Sequence, residues 1–366
     1  MAELEDASVR EDVLPPTKQS VQRPDFVSVT RGPGMHSNLS CGLDTAKGLA
    51  AAFDVPLIGV HHMQAHALTP QLMYALQQPK QDDDAVEPAF PFLTLLVSGG
   101  HTMLLQSESL TSHSILADTM DIAIGDCLDK CGRAILPDST KATTSDTAFG
   151  KHMSKYAFPD SSTFSSYPIP TKRSDEIDKA VNEYGWRIQP PLGETRKMAF
   201  SYAGFVSHVQ RIAASKTKMD EAERLALART ALGTAFEHLC SRLIIVVESI
   251  RTSGTDIRTL VVSGGVAAND FLRYFLRGML DVRGFRDIDL IFPPIRATFS
   301  NQYGNEVVLE PCTDNAAMIA WAGMEMYNTG WYSDLGINAL PKWSLDASID
   351  EGIAGVTSRR KASGIE

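Results

Sequence analysis

Beyond a polar, acidic and proline-bearing stretch at 1–23, which reads as a disordered tail, apolar and polar positions alternate through PDFVSVT at 24–30 and predict a strand. The turn Arg31-Gly32-Pro33-Gly34 ends it. Apolar residues then recur at helical spacing, at Leu39, Leu43, Ala46, Leu49 and Ala50, so a helix is expected from about 38 to 53. A second strand, PLIGV at 56–60, delivers the chain to a helix carrying HHMQAH, and QQPKQDDDAVEP at 77–88 reads as a solvated linker whose acidic run is a charge run rather than a metal site.

From residue 90 the pattern changes. PFLTLLVSGG and HTMLLQSES predict a hairpin, HSILAD a third strand, and a helix follows at about 121–135. Residues 136–199 have little periodicity and are rich in Ser, Thr and Pro, as in an extended loop or subdomain linker. The stretch 219–252 predicts a long core-facing helix, TLVV at 259–262 a strand, and VAANDFLRYFLRGML a further helix opening near Asn269 and Asp270.

At 366 residues, 43% hydrophobic and 21% charged, the chain has room for two domains with proper cores. Its net charge of −10 opposes binding to a phosphate backbone, so contact with RNA must use a local basic patch or a partner. Five cysteines, an odd number mostly set in apolar runs, point to reduced thiols, with Cys127 and Cys131 as buried small side chains. The longest apolar stretch, LCSRLIIVVESI, carries Arg242 and Glu248, so no membrane span is expected. The first twelve residues include Glu3, Glu5, Asp6, Glu11 and Asp12, unlike the acid-poor composition of an import signal.

Three short motifs carry the candidate chemistry. His62 and His66 lie four residues apart, on one face of a helix, where both imidazoles reach one ion and Asp314 in PCTDNAAMIA could supply a third ligand. An HxxxH pair alone is also compatible with two satisfied histidines, and Thr313-Asp314 ahead of an apolar helix is equally a capping pattern. Two Ser-Gly-Gly turns, at 98–100 and 263–265, each follow a β-branched apolar run and could aim backbone N–H groups at an anion. After the second, small residues permit close approach of an adenosine ring that Asn269 could hydrogen-bond, unless Asn269 merely caps its helix.

These motifs and their flanks, TRGPGMHSNLSCGLDTAKGLA, PLIGVHHMQAH, LLVSGGHTML, FSYAG, VVSGGVAANDFLR and CTDNAAMIAWAGMEMY, resemble the tRNA threonylcarbamoyladenosine transferases, long described as glycoproteases, and most closely their mitochondrial branch. The resemblance implies a two-domain actin-like α/β ATPase fold. It also implies transfer of a threonylcarbamoyl group from its mixed anhydride with AMP to the exocyclic amine of the adenosine beside the anticodon, in tRNAs reading codons that begin with A. His62, His66 and Asp314 would hold one divalent ion per subunit, iron or zinc, while Ser98, Gly99, Gly100, His101, Asp129 and Asn269 would bind the donor. The implied partners are tRNA, a separate synthase that makes the donor, and a second copy in a homodimer. A mitochondrial location follows by resemblance and a cytoplasmic one from the missing import signal.

The expected division is a first actin-like domain at 24–88, with the helix at 313–330 packing back onto it, a second domain at 89–345 containing the irregular insert 136–199, and a flexible tail at 346–366. Relative to the family, the first domain lacks its opening N-terminal strands and their Thr-Ser-Cys-Asp stretch. Val206 stands at the family's lysine position, LPDSTKATT replaces the Pro-Gly-Gly turn that follows the Asp-Lys pair, and ATFSNQYGNEVVLEP is inserted before Asp314. These departures keep open a catalytically impaired metal- or nucleotide-binding paralogue. A zinc protease is disfavoured, because Met63 occupies the place of the glutamate base in HExxH.

Overall fold

The computed structural model describes residues 23–77, 87–143, 147–215, 219–254, 257–300, 304–349 and 351–359; the expected tail before residue 23 and most of the linker at 77–88 lie outside them. The chain opens with β1 (Val27–Gly32), α1 (His36–Phe53) and β2 (Leu57–His61), and the two strands pair in parallel. Buried Leu39, Leu43, Ala46 and Ala50 press α1 onto this small sheet, which accounts for the helical spacing in the sequence. β2 runs directly into α2 (His62–Gln77). Nearly every residue of α2 from Met63 to Met73 is buried, so this helix is core rather than surface.

A six-stranded sheet follows, opened by the antiparallel meander β3 (Phe92–Val97), β4 (Thr102–Ser107) and β5 (His113–Thr119). Next come α3 (Ile124–Ile135), α4 (Asp138–Thr143), α5 (Phe149–Ala157), α6 (Arg173–Ile177), β6 (Ala199–Phe200), α7 (Ala203–Ala214) and α8 (Glu221–Thr252). β7 (Thr259–Ser263), α9 (Asp270–Val282) and β8 (Asp289–Ile291) complete the sheet, whose order is β6-β5-β4-β3-β7-β8 with β7 parallel to β3. The hairpin β9 (Ala297–Ser300) and β10 (Glu306–Leu309), then α10 (Ala316–Asn328), β11 (Trp331–Tyr332), α11 (Gly352–Gly355) and β12 (Ser358–Arg359) end the described chain.

Because both faces of the central sheet are covered, β3 is buried along its whole length and apolar except at Thr94, instead of alternating with exposed polar residues. Leu93, Leu95 and Val97 enter one core with α3, α7, α8 and α9, while Phe92 and Leu96 enter a second with α2 and α10. α8 is long and apolar enough to cross a bilayer, yet 94% of its most apolar stretch is buried inside the fold. It is the central core helix. Its buried Arg242 donates to the carbonyls of Thr195 (3.0 Å) and Lys197 (2.8 Å). Arg173, itself bound to Glu176 and Ser241, donates to the Gly193 carbonyl. The irregular segment before β6 thus satisfies its backbone through arginines instead of a sheet ladder.

Two expectations need correction. The insert 136–199 is not a plain linker, since α5 within it packs against α3 and carries part of the site described below. The supposed flexible tail from 346 is tied down as far as 359: Asp346 accepts from the Ile115 N–H (2.8 Å), Ile353 is fully buried, and β12 pairs with β11. Arg31 reaches the carbonyls of Asn338 (3.0 Å) and Val356 (2.6 Å) from the end of β1, which binds this strap to the small sheet. α10 packs back on the opening unit, with Tyr327 stacked on Phe26 at 5.0 Å and Gly323 so close to Ser28 that a Cβ would lie 2.5 Å from that side chain.

Candidate functional site

The histidine helix begins where β2 ends, and its first turn is organised by His61. The Met63 N–H donates to His61 Nδ1 (3.1 Å), so the ring carries its proton on Nε2 and gives it to the Trp343 carbonyl (3.0 Å). Burial keeps this imidazole neutral, with its pKa pulled down to about 3. One turn apart, His62 and His66 face each other with ring centroids 4.7 Å apart. Both present Nε2 to the same oxygen, Asp314 Oδ1, at 3.3 and 3.0 Å.

Asp314 is free to do this because its neighbour takes the capping role. The Asn315 side chain accepts from the Met318 N–H (2.9 Å) and caps α10, leaving the Asp314 carboxylate to the histidines. Hydrogen bonds from His62 and His66 hold that carboxyl well below the usual carboxylate range. The three ligand atoms lie within 4.8 Å of one another. Metal bonds of about 2.0–2.2 Å place neighbouring ligand atoms roughly 3.0–3.5 Å apart. The two His–Asp separations, 3.3 and 3.0 Å, match that range, and two imidazoles and a carboxylate are a donor set that could hold a divalent ion once the imidazoles close on it. Although the β9–β10 hairpin is inserted shortly before it, Asp314 still reaches the pair.

The two Ser-Gly-Gly turns meet at the ends of the adjacent parallel strands β3 and β7. Gly264 has φ +102°, and a Cβ there would lie 2.4 Å from the Val97 carbonyl oxygen, so only glycine lets the second turn pass this close to the first. At the first turn the Ser98 hydroxyl accepts from the N–H groups of Gly100 (3.2 Å) and His101 (2.9 Å). Those two donors are therefore engaged within the turn, contrary to the expectation that they point at an anion. What the turn leaves open is space: a Cβ at Gly99 or Gly100 would touch nothing within 4 Å. His101 feels His62 and His66, and burial first, then these imidazoles, lower its pKa.

The remaining expected site residues converge on α5. Asp129 on α3 accepts from the Gly150 N–H (2.6 Å), and Asn269 donates through Nδ2 to the Ser154 hydroxyl (2.9 Å). Asn269 also caps α9, its Oδ1 accepting from the Leu272 N–H (3.1 Å), so the capping and binding readings use opposite ends of one amide. Gly150 and Ser154 are not singled out by the sequence motifs. The glycine that lies beside Asp129 comes after α4, well beyond the Asp-Lys pair, and its one signal is the short amphipathic run FGKHMSKYA. Val206, in place of a lysine, is simply core, 4% exposed.

The family profile described as tRNA N6-adenosine threonylcarbamoyltransferase matches residues 8–321. The mitochondrial tRNA N6-adenosine threonylcarbamoyltransferase of Schizosaccharomyces pombe is 33% identical over 332 residues, covering 88% of this chain and 67% of that protein. The tRNA N6-adenosine threonylcarbamoyltransferase of Dinoroseobacter shibae is 31% identical over 326 residues, covering 88% of this chain and 75% of that protein. Among solved structures, HypF of T. kodakarensis superposes with a TM-score of 0.40 at 14% identity, covering 81% of this chain and 39% of that one. On the extent of the family match and these two relatives, the chain belongs to the tRNA N6-adenosine threonylcarbamoyltransferase family.

Proposed function

We propose that this protein transfers threonylcarbamoyl from threonylcarbamoyl-AMP to the exocyclic amine of the adenosine beside the anticodon, in tRNAs reading codons that begin with A. The observation that carries the reading is the convergence of His62, His66 and Asp314 on one point in a member of this family. In the reaction the adenosine amine attacks the carbamoyl carbon, the bond from that carbon to the phosphate oxygen breaks, AMP leaves, and the amine gives up one proton.

His62, His66 and Asp314 would hold iron or zinc, both suited to two imidazoles and a carboxylate. A divalent ion there supplies Lewis-acid stabilisation of negative charge developing on donor oxygens. His101, kept neutral by burial, offers a hydrogen-bonding ring beside that charge, and the bare Gly99-Gly100 face gives the donor room. Asp129 and Asn269 would bind the nucleoside part from the α3 and α9 sides, with Gly150 and Ser154 fixing their orientation. This places the ligand at the carboxyl ends of parallel strands, where open α/β sheets bind ligands. Proteolysis is disfavoured by Met63, 3% exposed, where a glutamate base would be required.

The same reading includes a two-domain actin-like fold. A meander β3-β4-β5 extended by parallel β7 and β8 forms one domain, and β1, β2, α1 and α2, with α10 packed on them, form the other. It further includes a homodimer, a donor made by a separate synthase, no membrane and a mitochondrial location, the last supported by the relative from fission yeast. The test is incubation of the purified, metal-loaded protein with unmodified tRNA and synthesised donor, followed by nucleoside analysis. Modified adenosine that depends on both protein and donor is expected, and AMP release without it would refute the transfer.

A further inference from the structure

Resting on that reading, we propose that Lys151 and Lys155 of α5, with Arg133 of α3, form the face that grips the phosphate backbone of the tRNA. α5 turns by about 100° per residue, so its two site-facing positions, Gly150 and Ser154, are each followed by a residue about 100° further round the helix. Those residues are Lys151 and Lys155. Both are exposed and stand side by side one turn apart, each next in sequence to a residue bonded to Asp129 or Asn269. Arg133, also exposed, lies against the same helix with its guanidinium 4.9 Å from the centroid of Phe149.

Charge accounting separates these three from the other basic residues nearby. Lys130 is paired with Asp126 at 2.7 Å and Lys141 with Asp138 at 3.2 Å. On the neighbouring α8, Glu221 is engaged by the Tyr156 hydroxyl at 2.6 Å. Among the described residues, no carboxylate forms an ion pair with Lys151, Lys155 or Arg133. On a chain of net charge −10, three exposed basic groups whose charge no carboxylate among the described residues neutralises by ion pairing form a face where a polyanion meets less repulsion. Exposed amines one turn apart suit successive backbone phosphates, and they leave the base edges to other groups such as Asn269.

The experiment compares the full-length protein with Lys151→Glu/Lys155→Glu and Lys151→Arg/Lys155→Arg variants. It measures binding of one unmodified tRNA by fluorescence anisotropy across a salt series, and binding of AMP by calorimetry. The charge-reversed pair should weaken tRNA binding at least about tenfold and reduce the slope of log affinity against log salt by about 2, at roughly 0.9 for each phosphate that is no longer neutralised. AMP binding should be unchanged and the arginine pair should bind tRNA as the parent does. If the parent modifies tRNA while the reversed pair binds it with unchanged affinity and slope, this surface is wrong and the function stands. A parent that neither binds nor modifies tRNA overturns both.

Discussion

Asp314 and Asn315 divide two jobs that the sequence leaves in competition, one capping α10 and the other meeting the histidines. The helical spacing of His62 and His66 made their meeting legible in advance. Asp314 could be named as a third ligand from its motif and the resemblance, but not from spacing, because its reach to the histidines depends on how α10 packs on the opening unit. Replacing both histidines by alanine should lower bound metal, read by elemental analysis, from about one ion per chain to near zero. Equal metal in parent and variant would move the site elsewhere. Asn269 allows a finer separation of roles. Asn269→Asp keeps the oxygen that caps α9 but loses the amide N–H group that reaches Ser154, so thermal stability should hold while AMP affinity falls roughly fivefold or more. Asn269→Ala should in addition lose about 1 kcal/mol of stability with the cap. Equal stability in the two variants, measured by denaturant titration, would refute the cap.

Among the elements, strands and long helices were readable from their buried apolar positions, at helical spacing in α1 and as near-continuous runs in β3 and α8. α5 was not readable, since only nine residues form it and its packing partner α3 lies earlier in the chain. Gly150 shows what depends on that packing: a Cβ there would lie 2.8 Å from Leu128 Cβ and 3.1 Å from Asp129 Oδ1. Gly150→Ala should therefore push α5 off α3, costing about 1–3 kcal/mol of stability and weakening AMP binding, as denaturation and calorimetry would read. A variant as stable and as tight as the parent would show that the two helices do not need this close approach. The first Ser-Gly-Gly turn was legible as a turn but not in its hydrogen bonding, because whether Ser98 binds its own loop is decided by side-chain rotation.

Over the whole molecule, the mixed α/β architecture and the order of elements follow from the sequence pattern, whereas the C-terminal strap does not. Its anchors, Arg31, Asp346 and Trp343, each meet residues far away in the chain. The buried polar groups set a pH response. Burial raises the Glu237 pKa to about 7, against the lowering effect of Lys179 and Tyr167. The fold then holds a proton that the unfolded chain releases above about 4.5, so this group's contribution to stability declines as pH rises from about 4.5 to 7. Buried His113 and His238, lowered to about 4 and about 3, act in the opposite sense below 6.5, and their contribution cancels when parent and Glu237→Gln are compared. The stability of Glu237→Gln relative to the parent should rise between pH 5 and 7.5, and a pH-independent difference would contradict the buried carboxylate.

The central claim, that three residues from two separated segments make this chain a threonylcarbamoyl transferase, is tested most directly by single-turnover transfer. Excess protein, metal-loaded, is mixed with labelled donor and one tRNA, and modified adenosine is measured over time for the parent and for Asp314→Ala. The account predicts that the parent modifies the tRNA and that Asp314→Ala slows the transfer by about 100-fold or more while still binding tRNA, in the range seen when a key electrostatic interaction with the transition state is removed. Transfer at the parental rate by Asp314→Ala, or no transfer by a parent that binds both donor and tRNA, would contradict it.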